Sequence, residues 1–312
     1  MYSRLSIIDL GTNTILMVTA RVDRDRSITV LSDEHRIARL GRGVDASRRI
    51  LPEAFDRVEG FLREYRAIAE RLGAERIAAF GTSALRDAAN RQEFVAEMIR
   101  RTGIAIDVIS GKEEAELTFL GALFGLTLEN KRQLVLDIGG GSTEIALGSD
   151  RRLLRSTSID IGAVRISERY LKVSPPDPES IRMARAMVAG ELVRAFDLEG
   201  DVEAIGVAGT VTTLGAIDAG MEIWDAERLD GWRLSIESIG RQVRDLERLS
   251  LEEIAAIPQI PAQRADVILG GAIILEEFMR RYALPSIRVS TRGLRYGMLM
   301  RELENPGGGR IR

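Results

Sequence analysis

The feature that most constrains this chain is a motif that occurs twice. Ile7-Ile8-Asp9-Leu10-Gly11 aligns with Val135-Leu136-Asp137-Ile138-Gly139, and each copy runs on into a short polar turn and a second apolar stretch. Apolar runs separated by such a turn predict a β-hairpin. A single Asp-x-Gly turn could recur by chance, but here each copy opens a similar succession of strands and helices. The chain is therefore predicted to contain a duplicated α/β unit.

The predicted elements divide the chain into two domains. After the first hairpin we expect a third strand, a helix from Pro52 to about Leu72, strand Arg76–Phe80, helix Ser83–Arg100, strand Ile104–Ile109 and helix Lys112–Leu126. The second copy starts with strand Gln133–Asp137. The domains are predicted as residues 1–125 and 126–312, with the option that the last helix, near 294–303, packs back on the first. Residues 305–312, with three consecutive glycines, are expected to be a disordered tail.

Composition limits the chemistry. The chain has no cysteine and one histidine, His35, which excludes thiolate zinc sites, HExxH zinc sites and His-Asp metal clusters. His35 lies in a polar stretch and is expected to be a surface strand residue. The net charge of −3 argues against a general nucleic-acid binder. The apolar runs are strand-sized, so neither a membrane helix nor a signal peptide is predicted, and the expected location is the cytoplasm.

The remaining chemistry belongs to carboxylates, hydroxyls, arginine and backbone amides, and the two turns supply these groups. Glycine lets the main chain approach a phosphate closely, and successive N–H groups can form an anion-binding concavity. The candidate phosphate-binding residues are Gly11, Thr12, Asn13 and Thr14 in the first turn and Gly139, Gly140, Gly141 and Ser142 in the second. Two such turns facing each other across a cleft would grip a phosphate chain from both sides.

Other residues suggest a cation site and a second anion site. Asp9 and Asp137 would repel phosphate and are better suited to a hard cation, Mg²⁺ or Mn²⁺, with Glu144 as a further candidate ligand. Gly209 and Thr210 precede a predicted helix, whose N-terminus could bind phosphate.

These hairpins resemble those of the exopolyphosphatase/guanosine pentaphosphate phosphatase (Ppx/GppA) family, which belongs to the superfamily of actin, sugar kinases and acetate kinase. The resemblance continues, in family order, through Gly81–Asn90, Ile109–Ala115, Gly162–Arg165, Gly206–Leu214 and Arg264–Gly271. It implies two duplicated actin-like (ribonuclease H-like) lobes with an interlobe cleft. One departure is Tyr296, at a position where the family more often has glutamate.

The resemblance also implies an activity: metal-dependent release of terminal phosphate from inorganic polyphosphate, and possibly from guanosine pentaphosphate. It makes Glu114 the base that activates water, although helix geometry alone leaves Glu113 open. Arg86 would contact phosphate, against the alternative of a surface pair with Asp87 or Glu93. A homodimer is implied as well. The alternatives are a small-molecule kinase of the same superfamily, for which Gly209-Thr210 would lie at the adenosine site, and a non-enzymatic nucleotide-binding sensor.

The expected length of the polyphosphate substrate follows from the additional domains of the family's longer members. These carry C-terminal domains, including a helical His-Asp-type region, that help to hold a long polymer. Here the two lobes extend to about Leu303, and one histidine cannot supply such a region. We therefore expect a distributive enzyme that favours short polyphosphates.

Overall fold

The computed structural model describes residues 3–23, 27–130 and 132–304, which form two compact units. In the first unit the strands are β1 (Ser3–Leu10), β2 (Thr14–Val22), β3 (Ile28–Ile37), β4 (Arg76–Gly81) and β5 (Ile106–Val108). The helices before β6 are α1 (Val44–Ser47), α2 (Pro52–Arg71), α3 (Ser83–Asp87), α4 (Arg91–Thr102) and α5 (Gly111–Ala122). The strand order is β3-β2-β1-β4-β5. Strands β1 to β3 pair antiparallel, whereas β1, β4 and β5 pair parallel.

The second unit repeats this plan with additions. Its strands are β6 (Arg132–Ile138), β7 (Thr143–Ser149), β8 (Arg152–Ile159), β9 (Glu203–Val207), β10 (Arg233–Ser235) and β11 (Ser286–Val289). Its helices are α6 (Ala163–Tyr170), α7 (Pro178–Leu192), α8 (Ala208–Asp218), α9 (Ala226–Leu229), α10 (Ile236–Leu246), α11 (Leu251–Ala255), a 3₁₀ turn (Ala262–Arg264) and α12 (Ile268–Arg281). The order β8-β7-β6-β9-β11 matches that of the first sheet, and β10 is added at the edge. The duplication predicted from the two hairpins is therefore present in the sheet topology.

Each unit has its own core. In the first, α2 begins at Pro52 and buries Ala54, Val58, Leu62, Tyr65 and Ala69, which recur every three or four residues along one face. In the second, α12 is buried along most of its length and lies at the centre of the larger hydrophobic cluster. None of the described helices is both long and apolar enough to cross a membrane.

The last described helix, α13 (Leu294–Glu304), belongs to the first unit and packs against β1 and β2. The division between the units falls at Leu117/Thr118, inside α5, rather than at the residue 125 expected from the sequence. The expected tail, residues 305–312, lies outside the described residues.

The prediction of a single helix over Ser83–Arg100 is wrong. The structure has α3 and α4, separated at residues 88–90. The Asn90 side chain accepts a hydrogen bond from the Ile50 amide (2.8 Å) and donates one to the Ile50 carbonyl (3.1 Å). Asn90 therefore anchors a distant loop at the position where a continuous helix would have passed.

Candidate active site

The two predicted turns have the same backbone geometry. The Gly11 amide donates to the Thr14 carbonyl at 3.0 Å, and the Gly139 amide donates to the Ser142 carbonyl at 3.0 Å. A Cβ atom at Gly11 would lie 2.8 Å from the Thr14 oxygen, and one at Gly139 would lie 3.0 Å from the Ser142 oxygen. Both contacts are with backbone, which cannot swing aside as a side chain could, so both turns favour glycine.

The first turn places its remaining residues close together at the junction of β1 and β2. Thr12 is buried, Asn13 is half-buried, and Thr14 is the first residue of β2. Strand β4 runs parallel to β1, with Gly81 beside Leu10, and the Thr82 amide donates to the Leu10 carbonyl at 3.3 Å. Helix α3, which follows Thr82, therefore begins directly beside this turn.

The second turn is held by the start of α6. The Gly139 carbonyl accepts from the Ala163 amide (2.9 Å), and the Gly140 carbonyl accepts from the Arg165 amide (3.1 Å). The buried Arg165 side chain also donates from Nε to the Gly141 carbonyl at 2.8 Å. These contacts fix the three glycines of the turn in one conformation.

The predicted metal ligands are arranged differently in the two hairpins. Across β6 and β7, Asp137 lies opposite Glu144, whereas across β1 and β2 Asp9 lies opposite Leu16. Directly opposed residues of an antiparallel pair project from the same face. The second hairpin therefore presents two buried carboxylates on one face, and the first presents one.

Hydroxyl groups contact both carboxylates of the second hairpin. Thr118 Oγ1 donates to Asp137 Oδ2 at 3.4 Å, and Ser158 Oγ donates to Glu144 Oε1 at 2.7 Å. Within residues 3–23, 27–130 and 132–304, no group of three or more acidic, histidine or cysteine side chains is assembled as a metal cluster.

The two glutamates at the start of α5 have different environments. The Glu113 carboxylate accepts from the Ser110 amide (3.0 Å), and Ser110 Oγ accepts from the Glu113 amide (3.2 Å). This reciprocal pair is a capping box, and its hydrogen bonds hold the pKa of Glu113 below its ordinary value. Glu113 is exposed, whereas Glu114 is buried.

Glu114 forms an ion pair with Arg86, whose Nη1 also donates to the Ile109 carbonyl at 3.3 Å. Burial raises the pKa of Glu114, and the positive charge of Arg86 opposes that rise. Asp87 and Glu93, the alternative partners considered for Arg86, form ion pairs with Arg48 and Arg49. The structure thus brings Arg86, Glu114 and the first turn together in one unit.

The predicted second anion site lies at the start of α8. Strand β9 runs parallel to β6, with Val207 beside Asp137, so α8 begins next to the second turn. Its first residue, Ala208, has φ 65°, a left-handed conformation that is unusual for a residue with a Cβ and costs on the order of 1 kcal/mol.

Sequence reasoning missed the cation at this site, Arg264, which is buried next to Gly209. A Cβ at Gly209 would lie 1.5 Å from Arg264 Nη1, so only glycine leaves room for the guanidinium. Burial lowers the pKa of Arg264 to about 10. The residue falls in a motif that was recognised in the sequence, but its contact with Gly209 depends on the tertiary fold.

The sequence left open that the last helix packs on the first unit, but it did not indicate the contacts through which α13 does so. A Cβ at Gly297 would lie 1.8 Å from the Leu117 carbonyl oxygen, so α13 contacts the backbone of α5 directly. The Tyr296 hydroxyl donates to Asp33 Oδ2 at 2.9 Å, and Arg295 donates to both Asp33 oxygens at 2.9 and 2.8 Å. Tyr296 therefore fastens α13 to β3.

Comparison with known proteins gives consistent matches along the chain. The model of the Ppx/GppA phosphatase family matches residues 18–306. Exopolyphosphatase 2 of Mycobacterium tuberculosis is 38% identical over 289 residues, covering 89% of this chain and 90% of that protein.

Solved structures agree. The crystal structure of an exopolyphosphatase-like protein superposes with a TM-score of 0.92 at 33% identity, covering 97% of this chain and 99% of the other. An exopolyphosphatase from Cytophaga hutchinsonii superposes with a TM-score of 0.89 at 28% identity, covering 99% of each chain. The predicted fold class, two duplicated actin-like α/β lobes, is confirmed.

Proposed function

The chain belongs to the Ppx/GppA phosphatase family, and we propose that it hydrolyses the terminal phosphoanhydride bond of inorganic polyphosphate. The name of its M. tuberculosis relative supports this substrate class. The observation that carries the proposal is the ion pair of the buried Glu114 with the half-buried Arg86, beside a glycine turn. A carboxylate kept from solvent and steadied by one cation is well suited to take a proton from water.

In the proposed reaction Glu114 is the general base. A water oxygen attacks the terminal phosphorus while one of its protons passes to the Glu114 carboxylate. The bridging P–O bond breaks, and orthophosphate and the shortened chain leave. A base with a raised pKa is a stronger proton acceptor, and the positive charge of Arg86 favours its ionised form. Glu113 is unsuited to this role because its carboxylate is bound in the capping box.

We propose that both turns bind substrate phosphates. Gly11 and Gly139 allow the main chain to approach an anion, and the neighbouring Thr12 and Ser142 carry hydroxyl groups. Only three of the 44 basic residues are lysines, and none lies in either turn. Backbone amides, arginine and a cation would therefore have to balance the phosphate charge.

The donor set of the second hairpin fits a hard divalent cation. Mg²⁺ prefers oxygen ligands and is commonly held by one or two carboxylates, with water and substrate phosphate completing its shell. Asp137 and Glu144, opposed on one face and buried, are suited to hold it, with Asp9 as a candidate in the other unit. When bound, Mg²⁺ or Mn²⁺ would neutralise phosphate charge that develops during hydrolysis.

Guanosine pentaphosphate is a proposed second substrate. It carries the same phosphoanhydride bond and, in addition, a separate diphosphate group on the ribose. Helix α8 supports this proposal, because its N-terminus at Gly209 and Thr210 and the buried Arg264 offer positive charge to an anion next to the second turn.

Short polyphosphates are the proposed preference. The contacts proposed here lie at two turns and two helix starts, and each engages few phosphates. Dissociation should then compete with the next cleavage. Intermediate lengths should accumulate on a gel when long polymer is digested; disappearance of long chains straight to orthophosphate would contradict a distributive enzyme.

Phosphate release from polyphosphates of several lengths, guanosine pentaphosphate and ATP, each with and without Mg²⁺, tests the function. We expect release from polyphosphate with Mg²⁺ and little from ATP. Transfer of phosphate from ATP to an added acceptor, without polyphosphate hydrolysis, would overturn the proposal in favour of a kinase. The homodimer and the cytoplasmic location stay predictions; sedimentation equilibrium tests the first.

A further inference from the structure

The segment between β3 and α2 concentrates positive charge beside the first turn. Residues 39–49, here called the arginine loop, contain Arg39, Arg42, Arg48 and Arg49 but only one acidic residue, Asp45. The whole chain, in contrast, has a net charge of −3. The loop is therefore a local cationic surface on a slightly acidic protein.

The start of the arginine loop is fixed to the first turn. The Arg39 amide donates to the Asn13 carbonyl at 2.8 Å, and the Gly41 amide donates to the Thr12 carbonyl at 2.7 Å. A Cβ at Gly41 would lie 2.2 Å from Thr12 Cγ2, so the loop backbone is in direct contact with the turn. Arg42, the next residue, is thereby held close to the proposed phosphate-binding residues.

The end of the loop is fixed beside the helix that carries Arg86. The Ala89 amide donates to the Arg48 carbonyl at 2.7 Å. The Asn90 side chain forms hydrogen bonds with both the amide and the carbonyl of Ile50. Ala89 and Asn90 lie in the short segment between α3 and α4. The arginine loop thus runs from the first turn to the neighbourhood of Arg86, with its backbone held at both ends.

Three of its guanidinium groups are available for an anion. The exposed Arg42 guanidinium makes no hydrogen bond or ion pair with the described part of the chain, although its backbone amide donates to the Arg39 carbonyl at 3.3 Å. The ion pairs of Arg48 with Asp87 (3.7 Å) and of Arg49 with Glu93 (3.8 Å) are long, and the arginine side chains are 58% and 62% exposed. Exposed pairs of this kind contribute little free energy, so a phosphate can displace them readily.

We propose that the arginine loop is a second phosphate subsite, in which Arg42, Arg48 and Arg49 bind the units of the polyphosphate chain behind the one being cleaved. This rests on the proposed function and extends it. The planar guanidinium donates paired hydrogen bonds that match phosphate oxygens. The loop's fixed backbone reduces the entropy lost when the polymer binds. The ligand is a linear polyanion with at least several phosphate groups.

The test measures binding and hydrolysis of tripolyphosphate and of a longer polyphosphate by Arg42→Ala and Arg42→Glu. Arg71→Ala and Arg71→Glu are matched controls, because Arg71 is an exposed arginine in the last turn of α2 and outside the site. Arg42→Glu should weaken binding of the longer chain about tenfold, the effect of losing one charge-assisted contact, and that of tripolyphosphate by less. Arg42→Ala should also make the affinity for the longer chain less dependent on salt.

Several outcomes would overturn the inference. If Arg42→Glu and Arg71→Glu change the ratio of the two affinities equally, the effect is one of net charge only. If a single-stranded oligonucleotide of matched charge competes as well as polyphosphate, the surface is a general polyanion site. Wild-type protein that neither binds nor cleaves polyphosphate would sink the proposed function itself, whereas normal cleavage with unaltered Arg42 variants would sink only this inference. Arg48→Glu provides a second variant should Arg42→Glu fold poorly.

Discussion

The two hairpins have the same backbone hydrogen bond in their turns but differ in the ionisable groups around those turns. Each turn closes with the same glycine amide to carbonyl bond of 3.0 Å. In the first unit the neighbouring strand leads into a five-residue helix that presents Arg86 to Glu114. In the second the equivalent strand leads into an eleven-residue helix whose start is occupied by Arg264, and the hairpin carries two opposed carboxylates. The comparison shows that a duplicated turn can be retained while the ionisable groups around it diverge; on the proposed function, the first copy would serve proton transfer and the second would serve cation binding.

The largest expected effect tests whether proton transfer belongs to the first unit. Glu114→Gln keeps the size and hydrogen bonding of the side chain but removes the proton acceptor, so turnover should fall by about 10²- to 10⁴-fold with little change in substrate affinity. Glu113→Gln is the matched control and should change turnover far less. Steady-state phosphate release measures both, and the reverse order would assign the base to Glu113.

The second prediction distinguishes the two hairpins by their contribution to cation binding. Asp137→Asn should raise the Mg²⁺ concentration for half-maximal activity by roughly 10-fold or more, because it removes one of two opposed carboxylates. Asp9→Asn should raise it less, since Asp9 lies opposite Leu16. Activity is titrated with Mg²⁺ after treatment with a chelator. Full wild-type activity in excess chelator would end the cation model.

The pH dependence of kcat distinguishes the roles of Arg86 and Arg264. The active form of Glu114 is the carboxylate, and its pKa is raised, so activity should fall on the acid side at a higher pH than an ordinary glutamate would give. Arg86→Gln removes the charge that opposes this rise, and the acid limb of kcat should move to still higher pH, by about one unit. Arg86→Lys should restore it in part. Arg264→Gln should leave the limb in place; an equal shift would mean that the second unit also controls the base.

The last comparison concerns the shared turn, where the expected effect is on stability rather than on turnover. A methyl group at Gly11 would lie 2.8 Å from a carbonyl oxygen and one at Gly139 would lie 3.0 Å from its counterpart. Gly11→Ala and Gly139→Ala should each destabilise their unit by about 1–3 kcal/mol, as overpacking does elsewhere. Urea unfolding measures the loss, and Gly60→Ala, at an α2 position with open space around it, is a control expected to be neutral or stabilising. A loss confined to one turn would show that their geometries are not equivalent.

The sequence predicted what depends on local chemistry. The hairpins, the duplication and the placement of Arg86 followed from turn residues, apolar patterning and motif order. The choice between Glu113 and Glu114 could not be made from helix periodicity, because it depends on Ser110 closing a capping box around Glu113. The division inside α5 left no trace, since a continuous helix has no glycine- or proline-rich linker to mark it. The contact of Arg264 with Gly209 joins residues far apart in sequence and needs the folded chain.

Helix α13 has a consequence for the order in which the molecule can be completed. It packs on β1 and β2, yet it is encoded after every described element of the second unit. During synthesis, α5, which carries Glu114, therefore lacks its backbone contact with α13 at Leu117 until residues beyond 294 have emerged. A nascent chain contains both glycine turns long before α13 can pack against α5. If the proposed function holds, full activity would therefore require synthesis through α13.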